Sequence, residues 1–240
     1  MSGYTVRHLL PVFSQGLAAD NWRSKLATVE AFGSMAYFAP KQLSAHLPLV
    51  VGNIRSILND THPKVQEGGI GALKMIARAI KTPEIADMAD DLIAALSDST
   101  EPLKRALDIL LETNFVHAID APSLSLIIPI LDTGLTAPDH EAKKKSARVV
   151  GHICALTSDS KDLLPYMEII LPAMKSSLFD SIPEIRASAA KAMGALSRGL
   201  GIGNSDEIIS WLKEQLLSGK GTSTERSGAA QGLAEVYAQH

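Results

Sequence analysis

Apolar residues along this chain recur three and four positions apart, in stretches of several turns broken by short polar segments. That spacing places them on one face of an α-helix. No run of β-branched residues alternates over more than a few positions, so strands are not predicted. The segment from Leu171 to Leu196 holds two such periodic stretches joined by Asp180-Ser181-Ile182-Pro183. Slid along the chain, it matches itself at steps of 41, 38, 39, 43 and 40 residues. One core column then reads Phe32, Leu73, Leu111, Val150, Met193, Leu233. Three residues on stand Met35, Ile76, Asn114, Ile153, Leu196 and Val236, with one polar exception. In the first helix of each unit Leu17, Leu58, Leu96, Leu135 and Leu178 align, with Ser218 sixth. Four positions earlier come Phe13, Ile54, Leu92, Leu131, Met174 and Glu214. A column of mostly small residues, Thr28, Gly69, Leu107, Ser146, Ala189 and Ala229, suits close helix approach in the second helices.

Two helices that cannot bury their apolar faces alone, repeated near every forty residues, describe a stacked helical repeat of the HEAT or armadillo class. Two helices per unit, with Pro11, Pro48, Pro129 and Pro172 in first helices, favour HEAT. The expected fold is all-α, a HEAT-repeat α-solenoid wound as a right-handed superhelix of helix pairs. The expected repeats are 4–43, 44–82, 83–120, 121–161, 162–202 and 203–240, together one domain. Asp60-Thr61-His62-Pro63 and Asp180-Ser181-Ile182-Pro183 share a register, and proline suits a first helical turn. Gly199, Gly201 and Gly203 are expected to end a helix. The third unit is the weakest, running into the apolar connection Phe115 to Pro122, which is expected to bend the stack. The sixth carries a Gly/Ser/Thr-rich turn from Ser218 to Thr224, expected to be mobile. Neither end has the polar outer face of a capping repeat, so the chain reads as an excerpt of a longer array.

Composition narrows this picture little. The apolar fraction is 46% and aromatics only 5%, so Leu, Ile, Val, Ala and Met must build the core. A single cysteine, Cys154, rules out an internal disulfide framework and fits a reducing compartment such as the cytosol. No apolar run is long enough to cross a bilayer, and no signal peptide is indicated, so no membrane partner is expected. A net charge of −3 argues against a generally basic nucleic-acid binder but leaves local patches open.

Enzyme chemistry finds no foothold. Arg198 to Gly203 follows a helix and lacks the Gly-Lys-Ser/Thr ending of a phosphate loop. Glu67-Gly68-Gly69-Ile70-Gly71 falls within a predicted second helix, where glycine permits close packing. The seven histidines show no metal-ligand spacing, His117 and His152 read as packed or hydrogen-bonded, and Cys154 reads as a small core residue. No cofactor or metal is expected. The charges at the turns fall into two sets. Lys25, Gln66, Lys104, Lys143, Arg186 and Arg226 share a column, and Asp60, Asp98 and Asp180 stand six residues before three of them. That register fits a structural ladder of acids and bases between adjacent turns. Off the ladder, Arg23, Lys64, Arg105, Lys144, Lys145 and Lys220 lie near the same turns. They make either a solvated polar edge or, if acids are segregated from it, a phosphate-contacting ridge.

Four stretches are not dictated by the repeat: Met35 to Ser44, Phe115 to Leu124, Asp162 to Tyr166 and Arg226 to Val236. Together they resemble the central region of the general control non-derepressible family of translational activators, over nearly the whole chain. The chain departs from that wording at Ala18 to Asn21 and at Lys220 to Thr224. The resemblance implies a cytoplasmic, non-catalytic scaffold serving activation of the amino-acid-starvation kinase that acts on initiation factor two alpha. It implies the ribosome, through rRNA and ribosomal proteins, and an ABC-type ATPase as partners. The kinase itself would be engaged by other regions of the full protein. Because that central region is similar to the HEAT domain of fungal elongation factor three, that domain is an alternative reading, as is a generic protein-binding HEAT scaffold.

Overall fold

The computed structural model describes residues 3–38, 43, 46–97, 99–217 and 221–239, and contains no strand among them. The helices are α1 (Gly3–Leu17), α2 (Trp22–Phe38), α3 (Leu47–Ile57), α4 (Pro63–Ala77), α5 (Pro83–Asp87), α6 (Ala89–Ala95) and α7 (Thr100–Glu112). They continue as α8 (Ala121–Thr136), α9 (His140–Leu156), α10 (Ser160–Leu163), α11 (Met167–Leu178), α12 (Pro183–Leu200), α13 (Ile202–Leu217) and α14 (Ser223–Ala238). The fold is an all-α helical repeat of the HEAT and armadillo kind. The chain forms two compact units, one of Met1–Ala106 with Asp120–Pro129, the other of Leu107–Ile119 with Ile130–His240.

In the first unit α1 packs on α2 and α3 on α4, while α2 and α4 lie side by side. Val29, Phe32, Ile54, Leu73, Ile76 and Leu92 are buried there. Phe13 meets Phe32 edge-on, with ring centroids 5.1 Å apart. In the second unit α11 packs on α12 and α13 on α14, and α12 lies between α9 and α14. Its core includes Val150, Ile153, Met174, Met193, Leu196 and Leu212. Each such side chain contributes about 1.5–3 kcal/mol by leaving water, and it can do so only because the next helix pair covers it.

Helix ends follow the turn chemistry. Pro63 and Pro183 open α4 and α12 behind extended His62 and Ile182, the backbone region a following proline imposes. Pro11, Pro129 and Pro172 lie inside α1, α8 and α11, and Pro48 stands in the first turn of α3. Gly68 and Gly69 sit at close approaches: a Cβ on Gly68 would come 2.6 Å from Leu26, and one on Gly69 3.1 Å from Leu58. Gly71 has open space instead.

Several expectations are corrected. Of these three glycines only Gly201 takes a left-handed conformation (φ 79°); Gly199 lies within α12, against the Cys154 carbonyl, and Gly203 within α13. Leu111 and Leu233 are half-buried, because the neighbouring Leu110 and Gly232 take the inward position. The first helix of the third unit is broken into α5 and α6 at Met88. Before α11 stands a 3-10 turn, Leu164–Tyr166, containing Pro165. In the connection after α7, Ile119 is buried and forms an isolated parallel bridge with Thr157, whereas Val116 is 78% exposed. His117 and His152 are exposed and so are not packed into the core. Cys154, by contrast, is the buried core residue the sequence leads one to expect, and burial pushes its thiol up to about 12. Of the Ser218–Thr224 turn, residues 218–220 lie outside the described residues, while Thr222 closes a capping box with Glu225 at the start of α14.

Candidate interaction surface along the turns

The turn before α4 is organised by Asp60. Its Oδ1 accepts from the His62 backbone N–H at 2.9 Å, and its Oδ2 accepts from Lys25 Nζ at 2.7 Å. Lys25 belongs to α2, so the carboxylate joins its own turn to the preceding helix pair. Asp180 repeats the arrangement before α12, accepting from the Ile182 N–H at 2.9 Å and from Lys143 Nζ, on α9, at 3.1 Å. The Lys25 ammonium and then the His62 N–H hold the Asp60 carboxyl below its ordinary value. Burial pushes Asp180 up, but the Ile182 N–H and Lys143 outweigh it and hold that carboxyl low as well. The residue six positions later does not reach the carboxylate. Gln66 donates to the Asp60 backbone carbonyl at 2.6 Å, and Arg186 to the carbonyls of Asp180 and Ser181, both at 2.9 Å. Arg226 donates likewise to the Gly221 carbonyl at 2.5 Å. Lys104 is half-buried near the start of α7, and Asp98 lies outside the described residues.

The second set of cations is placed less uniformly. Arg105 pairs with Asp91 at 3.1 Å. Lys144 sits between Glu141 at 3.2 Å and Glu184 at 3.3 Å, and those two acids raise its pKa. Lys145 pairs with Asp108. At these positions the acids are interleaved with the bases and not segregated from them. Lys220 lies outside the described residues. Arg23 and Lys64 behave differently. Both gather on Trp22, the first residue of α2: the Arg23 guanidinium carbon is 4.7 Å from the ring centroid and Lys64 Nζ 5.6 Å. The indole stacks nearly flat on His62, with centroids 4.1 Å apart and planes 9° apart. Cation–π contacts at exposed sites contribute about 0.5–1 kcal/mol each, enough to hold a long side chain in place.

Trp22 and His62 were not singled out from the sequence. The available signal was an aromatic residue beside Arg23 in one turn and an imidazole two residues before Lys64 in the next. Between α2 and α4 runs an open groove of about 670 Å³, floored by Leu26, Ala72 and Met75 and edged by Glu30, Glu67 and Lys64. Its chemistry suits an amphipathic peptide better than a small molecule, since it is shallow and carries both signs of charge. No group of His, Cys, Asp and Glu among the described residues could hold a metal ion, and no helix is long and apolar enough to cross a membrane.

Residues 101–207 match the family "Elongation factor 3/GNC1 HEAT repeat", and residues 1–73 match "EF3 N-terminal HEAT repeat". A protein of Dictyostelium discoideum named eIF-2-alpha kinase activator GCN1 is 46% identical over 99% of this chain. One of Homo sapiens named stalled ribosome sensor GCN1 is 43% identical over 99%. Elongation factor 3A of Saccharomyces cerevisiae is 27% identical over 85% of this chain. The chain spans 9% of the length of those two GCN1 relatives and 20% of elongation factor 3A.

Proposed function

This chain belongs to the elongation factor 3/GNC1 family of HEAT-repeat proteins, on the GCN1 side of it, and from that premise we propose that it is a ribosome- and partner-binding segment of a translational stress-response activator. The observation that carries this reading is 43–46% identity along 99% of the chain with relatives named for kinase activation and for sensing stalled ribosomes. The share of identity with elongation factor 3A, 27%, favours the activator over the elongation factor. In this reading the chain is non-catalytic and cytoplasmic. It contacts rRNA and ribosomal proteins, works beside an ABC-type ATPase, and leaves the kinase that phosphorylates initiation factor two alpha to other regions of the full protein. The repeat bounds 4–43, 44–82, 83–120, 121–161, 162–202 and 203–240 each assign one turn to the contacting edge. The contacts proposed on that edge are Arg23, Lys64, Arg105, Lys144, Lys145 and Lys220, with the aspartate and lysine ladder serving structure alone.

Cosedimentation with purified ribosomes tests it. The chain should pellet with ribosomes at low salt and be released as salt rises. Changing Arg105, Lys144 and Lys145 to Glu together should reduce the pelleted fraction; undiminished pelleting removes those three from the contact. A second reading, a protein-binding scaffold, is favoured by the mixed-charge groove between α2 and α4. A partner held there would resist salt and be lost on changing Met75 to Glu.

A further inference from the structure

We infer that Trp22, Arg23, His62 and Lys64 form a cradle for the phosphodiester backbone of RNA, an inference that rests on the ribosome-binding reading and narrows it to one point on the turn edge. These four residues come from two successive turns of one compact unit, brought together by the side-by-side packing of α2 and α4. Arg23 and Lys64 are exposed, and neither is ion-paired among the described residues. That sets them apart from Arg105, Lys144 and Lys145, whose charges are already answered by carboxylates. Asp60, the acid built into the same turn, is no obstacle to an anion. Its two oxygens are occupied by Lys25 and the His62 N–H.

The indole holds the Arg23 guanidinium over its face, so the planar fork loses less freedom when it meets a phosphate bidentately. Both cations also stand in the first turn of a helix, at the positive end of the helix dipole. The Arg23 N–H is turned onto Asn21 Oδ1 at 2.9 Å and the Lys64 N–H onto His62 Nδ1 at 3.3 Å, which fixes each first turn. The arrangement is an open edge and not an enclosed pocket. It therefore suits a polyanion lying along stacked rings better than the single dianionic group of a phosphopeptide.

The test uses the whole chain carrying Trp211→Phe, so that Trp22 is the one indole left to report. The probe is a labelled RNA hairpin of about 20 nucleotides, followed by anisotropy and by Trp22 emission over a salt series. RNA should quench Trp22. Arg23→Gln with Lys64→Gln should weaken binding about tenfold at about 50 mM salt and make the salt slope shallower by about two, one for each phosphate no longer neutralised. Lys144→Gln with Lys145→Gln, whose charges are already paired with carboxylates, should weaken binding less than the Arg23/Lys64 pair does. Helicity by circular dichroism should be unaltered in both, since the replaced side chains are exposed or at the surface. Unchanged affinity and slope in the first pair, binding without quenching, or tighter binding of a phosphoserine peptide than of the hairpin would each overturn the cradle. Ribosome pelleting separates the two readings. Hairpin binding through this cluster without ribosome pelleting would leave the cradle standing and remove the ribosomal role. Equal pelleting of wild type and the Arg23/Lys64 pair, with hairpin affinity also equal, would do the reverse.

Discussion

Asp60 and Asp180 are each 9–10% exposed at the side chain and each accept one backbone and one ammonium donor. Asp60→Ala removes the turn acceptor and strands Lys25, and should cost about 1–3 kcal/mol; Asp60→Asn keeps an acceptor for the His62 N–H and should cost about 1 kcal/mol. Urea midpoints of the two variants check the order. The same residues set an acid limit. Their folded carboxyls lie below the ordinary 3.8, so in acid the unfolded chain binds more protons than the folded one. Their contribution is fully present above about pH 5 and is lost as pH falls through and below about 4. A double Asn variant should accordingly trail wild type at neutral pH, and the gap should narrow as pH falls below about 4; a gap that stays constant or widens from neutral pH down to the acid unfolding limit would contradict the assignment. Ser146 offers the opposite case. Its hydroxyl is fully buried, has no hydrogen-bond partner among the described residues, and faces Gly134. Ser146→Ala should raise stability by about 1 kcal/mol, because it removes an unpaired polar group and nothing else. Equilibrium denaturation reads the sign directly.

At the scale of the helix, glycines in similar sequence settings have opposite consequences. A Cβ on Gly228, in α14, would fall 2.0 Å from the Leu178 carbonyl oxygen, so Gly228→Ala should cost about 2–3 kcal/mol by forcing two helices apart. Gly71, in α4, meets nothing within 4 Å, and Gly71→Ala should gain about 0.5–1 kcal/mol from helix propensity alone. Thermal or chemical denaturation that reversed this order would contradict the close approach of α14 to Leu178. Periodicity made the helix faces legible from sequence, since Phe32, Leu73, Val150 and Met193 owe their burial to spacing within one helix. It could not reveal the break of the third unit's first helix at Met88, where no proline or glycine marks the interruption. Nor could it show which glycine ends the helix: Gly199 lies within α12, where the Cys154 carbonyl of another helix approaches closely, and Gly201 closes α12 with a φ of 79°.

For the molecule as a whole, the net charge of −3 and the interleaving of acids with turn cations decide how it meets a polyanion. If only the Trp22 cluster engages phosphate, the logarithm of RNA affinity should fall with the logarithm of salt at a slope of about −2 to −3; all six proposed cations acting together would give about −5. A hairpin titration over a salt series tells them apart. The six cations were found in the sequence because they stand at turns, but their partners were not. Asp108 is 37 residues from Lys145 and Glu184 is 40 from Lys144, so only the packed chain reveals which charges remain available.

Lys25 reaches Asp60 across the boundary between two helix pairs. A turn that is completed by a side chain of the preceding pair is not self-contained, so a forty-residue segment transplanted into another array would arrive with its aspartate unanswered. Shuffling or duplication that parts the donor lysine from its acceptor aspartate should therefore lower stability at that junction.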